Sequence, residues 1–132
     1  MSELVLPQPS AFGPVRMLLR AEGLAGFLIM VLLYVWTGGP WWLFLVLFLV
    51  PDLAFFGYLA GPRVGSLVYN ALHVTLAPAI LGGIALVAGW PLGVSIALIW
   101  AAHIEFDRAL GYGLKYATGF GDTHLSRFGK GR

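Results

Sequence analysis

Four stretches of the chain are apolar for close to the 20 or so residues that a helix needs to cross a bilayer, and short turn sequences part them. The first runs from Met17 to about Trp36 and ends at Thr37-Gly38-Gly39-Pro40. The second runs from Trp41 to about Ala60 and stops at Gly61-Pro62-Arg63, where a residue free to take left-handed angles is followed by one that cannot continue a helix. The third occupies about 64–88, and Gly89-Trp90-Pro91 turns the chain into the fourth, about 92–111. That last stretch is wholly apolar to Ala102 and polar afterwards. The pattern predicts an all-α, four-transmembrane-helix bundle with short loops. An N-terminal segment 1–16 precedes it, and a Gly-rich basic tail 112–132 follows. The first sixteen residues hold neither an apolar core nor a small-residue cleavage pattern, so no cleaved signal peptide is read.

Composition strengthens this reading. Of 132 residues, 59% are hydrophobic and 11% charged, against about half apolar and a quarter charged in an ordinary soluble domain. The absence of cysteine excludes disulfides, thiolate zinc sites, iron–sulfur clusters and covalently attached haem, and leaves His, Asp and Glu as strong ligands. Net charge is only +2, which suits orientation signals rather than nucleic-acid binding, so the expected partner is the lipid bilayer. A homo-oligomer or a larger membrane complex stays open.

The basic residues are not scattered. Arg16 and Arg20 lie at the start of the first span, Arg63 between the second and third, and Arg108, Lys115, Arg127, Lys130 and Arg132 at or beyond the end of the fourth. The other two connections carry no charge, and Trp36, Trp41, Trp42 and Trp90 sit beside them as interfacial anchors. The positive-inside rule then puts both termini and the Arg63 loop in the cytoplasm, which requires an even number of spans.

The few polar residues within the spans fall at one depth. At about 1.5 Å per residue, Asp52, His73 and His103 lie about 12, 13 and 12 Å inside the cytoplasmic boundary, and Asn70, Glu22 and Asp107 about 9, 8 and 6 Å. His103 and Asp107 are i, i+4 neighbours and Asn70 and His73 are i, i+3, so each pair shares a helix face. Glu105 points away from His103 and has Arg108 three residues on, which suggests an interfacial ion pair outside the layer. A charge near the bilayer centre costs about 2.5 to 3.5 kcal/mol, so the acids of the layer must face inward and pair, neutralise or bind a cation.

One chemistry that uses this set is a divalent-metal site, with Asp52, His73, His103 and Asp107 as ligands for zinc, iron or manganese. Glu22 would be a fifth ligand or proton acceptor, and Asn70 an orienting neighbour. Such a site would suit a metal-dependent enzyme acting on a lipid-like or membrane-partitioned substrate. The competing reading is a non-enzymatic membrane subunit in which the same residues form a structural hydrogen-bond network. Ion or proton transport fits less well, because the outer half of the spans is almost wholly apolar. Haem held between His73 and His103 would leave Asp52 and Asp107 awkwardly placed, and a colourless preparation would exclude it. Pro51 and Pro78 flank the layer and can break their helices there. Asp122-Thr123-His124 reads as a solvated helix start, with a tail folded over the cytoplasmic mouth as the alternative.

With these residues in view, the chain resembles a small bacterial membrane family of unknown function, the domain of unknown function 4260. The resemblance lies in Pro51-Asp52-Leu53, the run Gly57 to Arg63, Tyr69-Asn70 with His73, the stretch Ala102 to Arg108, Gly111 to Tyr116, and Asp122-Thr123-His124-Leu125. It implies a membrane fold and a bacterial inner-membrane location, and brings no activity with it. The topology predicts that a reporter fused after Arg132 is active only in the cytoplasm; activity on the opposite side would overturn the orientation.

Overall fold

A computed structural model describes residues 13–112; the proposed tail reading at Asp122-Thr123-His124 lies outside them. The elements are α1 (Gly13–Thr37), α2 (Trp41–Phe48), a 3₁₀ helix (Val50–Ala60), α3 (Pro62–His73), α4 (Leu76–Val87) and α5 (Pro91–Leu110). There is no strand among the described residues. Three helical stretches, Gly13–Thr37, Trp41–Ala60 and Pro62–Val87, are long and apolar enough to cross a membrane. The stretch expected as a fourth span is a helix, the 20-residue α5, but it carries Glu105, Asp107 and Arg108 in its last turns and is not one of these three.

Two of the apolar stretches are interrupted, each at a proline. Pro51 has no N–H to donate back along α2, and the chain tightens into i→i+3 geometry from that point, with Asp52 N bonded to Leu49 O at 3.2 Å and Gly61 N to Tyr58 O at 3.0 Å. Eleven residues in one 3₁₀ run is long for this geometry. In the next stretch the ring of Pro78 meets the carbonyl four residues back, at Val74. Val74 is accordingly extended, with φ −92 and ψ 131, and separates α3 from α4.

α5 is the central element and packs most extensively on α1 and α4. Close approach to α1 depends on small residues, because a Cβ at Gly23 would fall 2.7 Å from the Ala109 backbone nitrogen and one at Gly26 would meet the Glu105 carboxylate at 2.6 Å. The 3₁₀ helix and α3 pack chiefly on each other, with Gly57 against Val68 and Gly65 under the Tyr58 ring. At the uncharged end, Tyr34 is fully buried, donates from its hydroxyl to Pro40 O at 2.6 Å, and sits within an aromatic group with Trp41, Phe44 and Phe48. The outward surface is apolar, as Leu32, Trp36, Leu45, Leu86 and Val87 illustrate.

At its other end α5 closes on Gly111, whose left-handed φ of 91 lets Tyr112 N reach back to Asp107 O at 2.8 Å. Gly23→Ala is expected to destabilise the fold by about 1 to 3 kcal/mol through overpacking against backbone. Gly83→Ala, where an added methyl meets nothing within 4 Å, should leave stability unchanged or slightly raised. Thermal unfolding of the two variants in the same detergent checks the contrast.

Candidate metal centre

Four residues from three elements converge beside the two proline breaks. Asp52 is supplied by the first turn of the 3₁₀ helix, His73 by the last residue of α3, and His103 and Asp107 by one face of α5. One ligand atom from each lies within 4.8 Å of all the others. His73 Nε2 is 3.2 Å from His103 Nε2 and 3.4 Å from Asp107 Oδ2. His103 Nε2 is 3.2 Å from Asp107 Oδ2 and 3.3 Å from Asp52 Oδ1, and Asp52 Oδ1 is 3.9 Å from His73 Nε2.

These separations have a simple geometric reading. Four ligands held tetrahedrally at the 2.0 to 2.1 Å usual for zinc stand about 3.3 to 3.4 Å from one another. Four of the five distances above are close to that value, and Asp52 is slightly drawn back from His73. Haem fares worse, since two imidazoles on opposite sides of an iron, each at about 2.0 Å, would put their nitrogens about 4 Å apart with a macrocycle between them. At 3.2 Å, with two carboxylates in the same space, the histidines leave no room for one.

The protonation state of His73 follows from its second nitrogen. Nδ1 lies 2.9 Å from Tyr69 O, and a carbonyl can only accept, so Nδ1 carries a proton; in the neutral ring the Nε2 lone pair then faces the cluster. A carbonyl behind the imidazole is the usual support of a metal-ligating histidine. The Tyr69 ring also stacks on His73, with centroids 3.8 Å apart and planes at 6°. His103 is fixed differently, edge-on to Phe48 at 5.2 Å. Its Nδ1 is buried without a hydrogen bond of ordinary geometry among the described residues.

The break after His73 frees main-chain carbonyls, and α5 satisfies them. Trp100 Nε1 donates to Leu72 O at 2.6 Å, and Arg108 Nη2 donates to His73 O at 3.0 Å. Arg108 thus directs its guanidinium to the main chain, including Tyr112 O at 3.2 Å, rather than forming the interfacial pair with Glu105 expected from their spacing. Glu105 instead lies half-buried against Gly26. The roles of Trp100 and Arg108 were missed by sequence reasoning; the signal available was a helix-breaking Pro78 opposite donor side chains on the following helix.

Exposure divides the four ligands. The side chains of His73, His103 and Asp107 are 0%, 3% and 12% exposed, whereas that of Asp52 is 41% exposed. The centre therefore has a buried three-ligand face and one open side, where Asp52 stands. Asn70 is half-buried on α3, three residues before His73. Glu22 is not among the grouped residues: it is exposed on α1, with its charge near that of Glu105.

The chain belongs to the family described as a domain of unknown function (DUF4260), which matches residues 16–128. No curated protein and no solved structure matches it.

Proposed function

We propose that this member of the DUF4260 family is a four-span inner-membrane protein with both termini in the cytoplasm, and that Asp52, His73, His103 and Asp107 hold a divalent metal ion. The observation that carries this reading is the convergence of four ligand atoms within 4.8 Å. The backbone support of His73 Nδ1 adds to it. Two neutral imidazoles and two carboxylates suit zinc, iron or manganese, and a divalent ion balances the two carboxylate charges, which would otherwise be costly inside the membrane.

The reading extends to an enzyme acting on a lipid-like or membrane-partitioned substrate. A zinc-type ion held chiefly by the buried His73, His103 and Asp107 would supply Lewis-acid chemistry to a water or substrate entering on the side of the exposed Asp52. Asp52, the most exposed of the four, would be the residue free to leave the ion and accept a proton on that side. His73, His103 and Asp107 hold the opposite face, and the Tyr69 carbonyl keeps the His73 ring in orientation. Asn70 retains its proposed orienting role, whereas the proton-acceptor role first assigned to Glu22 passes to Asp52.

A second reading is favoured by the sparse packing between the 3₁₀–α3 pair and the rest of the bundle. The cluster then acts as a clamp in a non-enzymatic membrane subunit. Metal analysis of purified protein separates these ideas. The metal-centre reading predicts close to one zinc, iron or manganese per chain, abolished by His73→Ala and by His103→Ala. Asp52→Asn should lose less metal than either, because the buried three-ligand face remains. Metal-free protein that takes up none of the three ions and keeps its thermal midpoint in chelator would leave only the structural network.

A further inference from the structure

A second feature lies between α1 and α5 and is lined by Phe106, Ala109 and Leu110 of α5, not by the His/Asp cluster. Between α1 and α5 runs a groove of about 440 Å³ lined by Met17, Ala21, Leu24, Phe27, Phe106 and Leu110, with Arg20 as the one charged residue in its wall. Its volume lies within the range of small-molecule sites. From Met17 to Phe27 the α1 wall is ten residues long, about 15 Å, which is half of a hydrocarbon core about 30 Å thick. The groove therefore has the length of one acyl chain of one leaflet.

Arg20 is held at the groove by its own main-chain bond. Its Nε donates to Ala109 O at 2.9 Å, near the C-terminal end of α5, where free carbonyls and the helix dipole favour a cation. That bond uses one of the five guanidinium donors. Among the described residues no carboxylate lies within ion-pair distance of Arg20. The bond fixes the stem and leaves the outer donors of a planar, permanently charged fork at the end of an apolar trough. A phosphate oxygen pair matches that fork geometrically. Arg16, one turn earlier, lies over Gly111 at the same end and adds a second positive charge.

We infer that the α1–α5 groove is a binding site for an anionic phospholipid, with one acyl chain in the apolar trough and the headgroup phosphate on Arg20. The occupant is a lipid rather than free phosphate because the apolar wall is continuous with the lipid-facing surface of α1, where Leu18, Leu24 and Leu28 are exposed. Basic pockets between membrane helices are the general setting for such headgroups. The site is independent of the metal reading.

The full chain, reconstituted in vesicles of equal phosphatidylglycerol and phosphatidylcholine and recovered in mild detergent, should carry phosphatidylglycerol in clear excess when its bound lipid is weighed by mass spectrometry. Arg20→Gln should reduce that excess about fivefold, the factor associated with one basic residue at an anionic surface, and Arg20→Lys, which keeps the charge but loses the fork, should fall between Arg20→Gln and the unaltered chain. Ala21→Trp, which fills the trough and keeps both arginines, should also lower it. Unchanged enrichment in Arg20→Gln or in Ala21→Trp overturns the proposal. Full displacement of the lipid by millimolar inorganic phosphate also overturns it, by assigning the fork to free phosphate. If Arg20→Gln does not fold, Ala21→Trp decides alone.

Discussion

Within a bilayer no water is at hand to satisfy a main-chain carbonyl that a helix break sets free, so the protein has to supply the donor itself. That constraint organises the part of this molecule around the His/Asp cluster. Pro78 prevents α3 and α4 from being one helix and leaves Val74 extended. The carbonyls of Leu72 and His73 are taken up by Trp100 and Arg108, two donors set eight residues apart on α5. Once those two bonds are made, the end of α3 is pinned to α5 in one register, and His73 is brought beside His103 and Asp107. The cluster is in this sense a consequence of how a broken helix is made tolerable.

Pro51 does the corresponding work on the other stretch. A 3₁₀ helix rises about 2.0 Å per residue instead of 1.5 Å, so the eight residues from Asp52 to Ala60 span about 16 Å rather than the 12 Å expected of an α-helix. His73 lies eleven residues from the start of α3 at Pro62, also about 16 Å along an α-helix. The stretched and unstretched partners thus come level, and Asp52 meets His73 across the 3₁₀–α3 pair. Because that pair packs mainly on itself, polar links to α5 carry much of its attachment to the bundle. A cation shared by Asp52, His73, His103 and Asp107 would add four strong bonds across that seam.

The apolar runs, their turns and the candidacy of Asp52, His73, His103 and Asp107 as one group were legible in the sequence because each rests on spacing along one helix. The i, i+4 relation of His103 and Asp107 needs no tertiary information at all. What depends on two helices meeting was less legible. Glu22 shares the depth of the layer but leaves α1 on an exposed face, and depth alone does not fix the rotation of a helix about its axis. Arg108 stands three residues from Glu105, a pairing distance on a helix surface, yet the freed carbonyl of His73 draws the guanidinium instead. The prolines marked where helices would break; how far the 3₁₀ geometry would run after Pro51 was not encoded in any local pattern.

The unequal burial of the ligands follows from the same architecture. His73, His103 and Asp107 come from α3 and α5 at the point where those helices are bonded together, and packing covers them. Asp52 comes from the first turn of a segment whose main support is α3, and its side chain is left 41% exposed. A centre assembled from one well-anchored face and one lightly anchored ligand is asymmetric by construction. If a divalent ion occupies it, the buried face fixes the ion, and exchange of water or of a reacting group takes place beside Asp52. The side of the centre on which chemistry can occur is therefore set by which of the two proline-broken stretches is the more firmly tied to α5.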